Sequence, residues 1–378
     1  MIRFPLSRRP PRPTLRGVTG VLLATLALAA LPVLATAAPT SGAPAPKAWV
    51  AKSDENTQIL LEIVARLSPE DAGQVGLSGF DDQITDLSPG FQERAIAAFE
   101  KAEATLKERL AKETDPNVRQ DLEILIQAAE RNVTGQRLTE KYEIPWIAID
   151  ESVFQGLRGL LDDQVEPARR AAALVRLRKY AGVEPGYKPI AELAQAYTRS
   201  HIKPGLRYPF KDAVEKTLGN SKTYMDGIGS LFEKYKIAGY QEPLAKLKAQ
   251  MEVYNGFLRQ EILPNARTDF RQPPELYAFS LEQVGVDMPV DELVRRAEVA
   301  FREIQNEMQT LAPLIAKEKG WNLKDYRDVL RELHKSQVEG EAILPFYQKR
   351  IKDVEDIIRR EHLVSLPERP MRVRLATP

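Results

Sequence analysis

The chain has 378 residues, with 54 Lys and Arg against 53 Asp and Glu, three histidines and no cysteine. Its positive and negative side chains alternate along the sequence, so it offers no basic footprint for nucleic acid or anionic lipid. The missing cysteine excludes disulfides, thiol nucleophiles, thiolate metal ligands and a lipoprotein anchor.

Residues 1–37 read as a cleaved export signal. Arg3, Arg8, Arg9, Arg12 and Arg16 precede an uncharged apolar run from Val18 to Leu34 that closes on Ala35-Thr36-Ala37. That order is cationic region, apolar region and small-residue cleavage site. A membrane anchor is the plainer alternative, but the run is short for a span and is broken by Pro32. Cleavage removes five arginines and no acids, leaving 49 basic residues against 53 acidic, a net charge of −4. The expected product is exported, periplasmic or extracellular, with no stable membrane anchor. Arg8-Arg9 hints at the twin-arginine route, whereas Pro10 and Pro11 favour general secretion. Residues 38–52, with Ser41, Gly42 and three prolines before Lys47, read as a flexible spacer.

Residues 53–378 read as an all-α, multi-helix domain. The first helix is expected near Asp54 to Leu67, with Ile59, Leu60, Ile63, Val64 and Leu67 on one side. Asp71 to Pro89 reads as loop, and its Asp81, Asp82 and Asp86 lack the spacing of a calcium loop. Ser88-Pro89 and Asp115-Pro116 each read as a cap followed by a proline at the first helical position. Tyr142 to Ile149 is aromatic and β-branched, but Pro145 inside it argues for an extended buried segment.

Further helices are expected from Glu151 to about Asp162, Glu166 to Gly182, Pro189 to about His201, Phe210 to Tyr235 and Glu242 to Ile262. Gly219, Gly227 and Gly229 in the fourth of these predict a kink or a close helix crossing. Between Val290 and Lys319 apolar residues recur at spacings of three and four, with Gly320 as terminator. That pattern predicts a core face containing Leu293, Phe301, Ile304, Met308 and Leu311. A last helix is expected near Glu341 to Glu361. Met371, Val373 and Leu375 then alternate with Arg372, Arg374 and Ala376, the period-two pattern of one extended, strand-like segment at the C-terminal end.

Catalytic motifs are scarce. His201, His334 and His362 are never four apart, so no His-Glu-x-x-His helix exists, and single histidines at helix ends are usually caps or surface groups. No Gly-x-Ser-x-Gly turn is present, and Gly227-Ile228-Gly229 is too short for a phosphate loop. No catalytic residue, metal ligand or cofactor is therefore assigned in this chain. Leu263 to Tyr277 is more informative, because it gathers Arg267, Asp269, Arg271, Glu275 and Tyr277 in a Pro-rich loop leading into a helix. The plain reading is a rigid linker tied by Arg and Asp pairing. The functional reading makes Arg267, Arg271 and Tyr277 a substrate-binding wall that holds a carboxylate or polarises a carbonyl.

At this segment the chain resembles the bacterial family catalogued as domain of unknown function 885, exported proteins similar to zinc metallopeptidases. The matching stretches are Leu263 to Tyr277, Gly285-Val286-Asp287 into the helix with Phe301-Arg302-Glu303-Ile304, and Ile343-Leu344-Pro345-Phe346-Tyr347 through Leu366-Pro367-Glu368-Arg369-Pro370. The resemblance implies a helical shell over a zincin-like site, with a His-Glu-x-x-His motif beyond Met371 to Leu375. It implies zinc for a full-length member. The sequence stops at Pro378 without that motif, so the expectation is an amino-terminal helical portion, an incomplete family domain that is inactive alone. The alternatives are a non-catalytic periplasmic peptide-binding or scaffold protein, and a complete enzyme with an unrecognised site among Arg267, Tyr277 and the carboxylates.

Overall fold

The computed structural model describes residues 47–73, 77–369, 371 and 373. Residues 1–37, expected to be an export signal, and residues 38–46 of the expected spacer lie outside them, as does most of the expected strand-like tail. Met371 and Val373, the two tail residues described, are not in a strand. Among the described residues the regular structure is helical, and the β pairing consists of isolated bridges from Glu143 to Arg207 and from Phe210 to Arg267. The chain divides into two compact units, residues 1–287 and 288–378.

The first unit begins with α1 (Ala48–Leu67) and the single turn α2 (Pro69–Ala72), followed by α3 (Phe91–Lys112) and α4 (Pro116–Tyr142). The first of these starts six residues before the expected Asp54 and takes in residues 48–52 of the expected spacer. The physical reason is Trp49, which packs against the apolar cluster of α1, α3 and α4 and so draws the helix back along the chain. The second long helix starts at Phe91 rather than Pro89, behind Gly90 at φ 78° in place of Ser88 as the cap residue, and the Ser88 carbonyl accepts from the Phe91 N–H. The Asp-Pro device before α4 works as expected: Asp115 accepts from the Asn117 N–H at 2.8 Å, and Pro116 needs no partner at the first helical position. Leu60, Phe99, Leu106 and Leu122 close the core among these three helices with no exposed area.

Glu143 to Ala148 runs extended, tied by Ile144 N–H to the Arg207 carbonyl at 2.9 Å, as Pro145 requires. Seven helices follow: α5 (Ile149–Arg158), α6 (Pro167–Arg170), α7 (Ala172–Tyr180), α8 (Ile190–Ser200), α9 (Lys211–Lys234), α10 (Gln241–Phe257) and α11 (Pro274–Gln283). A π-turn at Leu258–Ile262 carries α10 on to the expected Ile262. Gly227 is a close crossing: a Cβ there would stand 2.8 Å from the Phe154 ring, so only glycine lets α9 lie this near α5. A second core, including Val153, Leu157, Leu177, Ile228, Phe232 and Leu258, fills the space among α5, α7, α8, α9 and α10.

Residues 77–90 are irregular but firmly tied. Arg176 on α7, 1% exposed, donates to the carbonyls of Gln83 at 2.9 Å, Gly156 at 2.6 Å, Phe80 at 3.0 Å and Pro69 at 3.4 Å. A buried guanidinium with its N–H groups shared among carbonyls substitutes for the helix or sheet partners that a loop lacks. Arg169 holds Asp81 through two bonds of 2.8 Å, which keeps the Asp81 carboxyl below its ordinary range. The acids of this loop are thus ion-pair partners and turn formers.

The second unit contains α12 (Val290–Lys319), α13 (Tyr326–His334) and α14 (Ile343–Glu361). Gly320 ends α12 in the left-handed conformation, as its position predicts. The expected core face of α12 is overturned. Phe301 is 66% exposed, Ile304 and Leu311 are also exposed, and the unit's buried cluster is Ala312, Ala316 and Val329 with Trp321 and Tyr326 against it. Helical periodicity fixes which residues share a stripe, whereas burial needs an opposing surface, and α13 covers only the last turns of α12.

Candidate functional site

A cavity of about 750 Å³ opens in the first unit between α1, α3 and α4, with Thr85 and Asp86 of the tied loop, Tyr197 of α8 and Phe279 of α11 around it. Its volume follows from small residues at facing positions: Ala95, Ala98 and Ala102 on α3, and Gly135 on α4. Ile59 and Ile63 of α1, Phe91 and Phe279 supply apolar wall. Size and lining are those of a small-ligand pocket.

Four residues that line the cavity also carry buried polar atoms without partners. The Gln92 Oε1, the Gln136 Nε2, the Tyr197 hydroxyl and both amide atoms of Gln283 are buried with no hydrogen-bond partner, and all four residues line the cavity. Each such group costs about 1–3 kcal/mol, and each lies beneath the accessible surface of the cavity. Burial raises the Tyr197 phenol well above its ordinary range, and the Glu140 and Glu93 carboxylates add to the rise. The Gln92 amide tempers it, but the two side chains do not meet in proper hydrogen-bond geometry. The Tyr197 ring is held between Phe91, at 4.7 Å, and His201, at 4.5 Å, so the hydroxyl is a fixed, protonated donor. Behind it the Glu140 carboxyl is also pushed up, first by burial and then by Glu93.

The walls are positioned from outside. Glu70 accepts from the Thr85 N–H at 2.9 Å, the Thr85 hydroxyl at 2.7 Å and the Tyr180 hydroxyl at 2.8 Å, fixing Thr85 at the cavity edge. Asp86 accepts from the Ser88 N–H at 2.8 Å and from Arg94 at 2.7 Å. On the far wall, Glu275 of α11 accepts from Lys141 at 2.5 Å and from the Tyr142 hydroxyl, and Glu282 lies 3.6 Å from Arg131.

The residues singled out in the sequence lie elsewhere. Arg267 donates to the Tyr208 carbonyl at 3.1 Å and the Asp269 carbonyl at 2.5 Å, and stands 3.5 Å from Glu143. It ties the extended segment after α4 to the segment before α11, which is the linker role. Arg271 is exposed and 3.8 Å from Asp269, while its carbonyl accepts from Arg207 at 2.6 Å. Tyr277 is 38% exposed, and none of the three lines the cavity.

The described residues do not fit zinc. His201 Nδ1 lies 2.8 Å from the Tyr197 carbonyl at the end of α8, and His362 ends α14 in the left-handed conformation. Among the described residues no three His, Asp or Glu side chains are grouped to hold a metal ion.

Sequence reading missed Gln92, Gln136, Tyr197 and Gln283. A signal existed, because Gln92 lies three residues before the buried Ala95 and Gln136 four after Asn132, so both extend a core stripe with a polar group.

A search of curated proteins gives no match. The family model described as a bacterial protein of unknown function (DUF885) matches residues 69–378. That span includes α2 through α14, with most of the cavity, and the chain belongs to this family.

Proposed function

We propose that this chain is a helical, exported, metallopeptidase-like protein, and that its cavity takes a peptide. The observation that carries the reading is the cavity of about 750 Å³, whose wall is mostly apolar and includes the polar side chains Gln58, Gln92, Asn132 and Gln136. A peptide brings one N–H donor and one carbonyl acceptor per residue together with apolar side chains, which is the complement of that surface. No residue of the chain is assigned a catalytic role.

Isothermal titration of the chain with a blocked tripeptide, acetyl-Ala-Leu-Ala-amide, tests this reading. Saturable binding is expected, and Ala98→Trp, which fills the cavity from α3, is expected to abolish it. Absence of binding, or binding untouched by Ala98→Trp in a folded protein, overturns it.

A further inference from the structure

The apolar stripe of α12 has the spacing of a coiled-coil seam. From Val290 to Ile315 apolar residues recur in steps that alternate strictly between four and three, over about four heptads. Val294, Phe301, Ile304 and Leu311 of this stripe are exposed, and Val294, Ala297 and Phe301 line a shallow groove along it. Contiguous apolar surface of this kind marks a place where another surface docks. The short helix α13 lies beside the stripe rather than over it. Gln305 donates to the Tyr326 hydroxyl at 3.0 Å and Gln309 to the Lys324 carbonyl at 2.7 Å, while Ala312 and Ala316 are buried with Val329. Those four residues of α12 share one flank of the stripe, and Leu293 and the exposed Leu314 mark the other.

A heptad seam is completed by a second helix, and the side chains of α12 match those of α12 in a second copy run antiparallel. About a two-fold axis level with residues 302 and 303, Phe301 faces the partner's Ile304, Ala297 the partner's Met308, Val294 the partner's Leu311 and Val290 the partner's Ile315. Each contact occurs twice, as an isologous interface requires. On the open flank the same register sets Leu293 against the partner's Leu314 and Arg296 against the partner's Glu307, so apolar meets apolar and positive meets negative. The acidic first turn of α12, Asp291 and Glu292, comes beside the basic last turn with Lys317 and Lys319, and the helix dipoles oppose. Parallel pairing would instead set Leu293 beside Glu298 and Leu314 beside Lys319, burying neither leucine well.

We propose that this chain forms a two-fold dimer through α12, paired as an antiparallel two-stranded coiled coil.

Analytical ultracentrifugation of the whole chain tests the pairing. A dimer that dissociates on dilution is expected. Phe301→Glu, a change at an exposed side chain, is expected to weaken it by about a hundredfold, with the circular dichroism of the diluted chain unchanged. Arg296→Glu is expected to weaken the dimer too, and Arg296→Glu together with Glu307→Arg to restore it. The chain has no cysteine, so introduced cysteines report the register. A mixture of Val294→Cys and Leu311→Cys chains is expected to oxidise to mixed disulfide dimers. Neither variant is expected to do so alone, because antiparallel pairing holds like cysteines roughly 25 Å apart. A monomer at every concentration, or a dimer untouched by Phe301→Glu, overturns the proposal. Disulfides between like cysteines, or no rescue by the charge exchange, overturn the antiparallel register.

Discussion

Phe279 of α11 rests on Gly135 of α4, its ring carbons 3.0 and 3.3 Å from where a Cβ at position 135 would stand. Leu276 is the one buried residue of α11, so this contact and two ionic ties hold much of the cavity's outer wall.

Gly135→Val is expected to loosen that wall and little else. The branched side chain must displace Phe279, while the core of α1, α3 and α4 lies on other faces of the helix. Hydrogen exchange is expected to quicken at the amides of Phe279 to Gln283, with the thermal midpoint changed only slightly. Unchanged exchange in α11 would show that the Gly135 contact does not hold it.

Arg176 offers a larger effect. Removing its guanidinium, as in Arg176→Met, leaves the carbonyls of Gln83, Gly156, Phe80 and Pro69 without this donor. A loss of about 3–5 kcal/mol in denaturant unfolding is expected. Arg176→Lys should recover little, since an ammonium cannot spread over carbonyls in a planar fork. Full rescue by lysine would mean that charge rather than geometry holds residues 77–90.

Those two effects divide what was legible in the sequence from what was not. The Asp115-Pro116 start, the Gly320 stop and the extended segment, expected over Tyr142 to Ile149 and found over residues 143–148, are local, set by caps and by the backbone of proline and glycine, and they were readable in advance. The all-α class followed from the same signals. The cavity was hidden because its residues, Gln92, Gln136, Tyr197 and Gln283, come from four helices, and nothing local says which polar positions will lose water together. Arg267, Arg271 and Tyr277 lie close in sequence but do not line the cavity, because nearness in sequence does not aim side chains at one point.

Acid should expose the tie before α4. Glu113 accepts from Lys52 at 2.6 Å and from the N–H groups of Asp115 at 3.0 Å and Thr114 at 2.8 Å. Lys52 foremost, then these N–H groups, hold its carboxyl down to about 2 from an ordinary 4.5. A depressed native pKa gives stability that is complete above 4.5 and is lost as pH falls towards 2. Glu113→Gln is therefore expected to flatten the pH dependence of the melting temperature in that window. An identical acid profile in the variant would remove Glu113 from the account.

Asp150 is expected to act with the opposite sign. It is 2% exposed, its Oδ2 has no partner, and burial pushes its carboxyl above the ordinary 3.8. The native state then holds the proton more tightly than the unfolded chain, so its stability contribution is present below 3.8 and is lost as pH rises through the raised native pKa. Asp150→Asn keeps an oxygen for the Glu151 N–H, which donates to Asp150 at 2.8 Å, and cannot ionise. The variant should melt higher than the wild type at neutral pH and converge with it in acid. A variant less stable at neutral pH would mean that the ionised carboxylate is stabilised in place.

Two phenylalanines give the sharpest test of how the periodic stripes are used. Phe99 lies in the stripe of α3 with no exposed area, among Leu60, Leu106 and Leu122. Phe301 lies in the equally regular stripe of α12 and is 66% exposed. Truncating a buried phenylalanine removes its transfer free energy and leaves a cavity, about 3–5 kcal/mol in all, whereas an exposed one loses neither. Phe99→Ala is thus expected to cost about 3–5 kcal/mol in equilibrium unfolding of the diluted, monomeric chain, and Phe301→Ala under about 1 kcal/mol. The two substitutions delete the same atoms from helices of similar regularity, so the difference between them reports the opposing surface alone. Equal costs would show that α12 is covered in the monomer to the same extent as α3, and would restore the core face that its periodicity predicts.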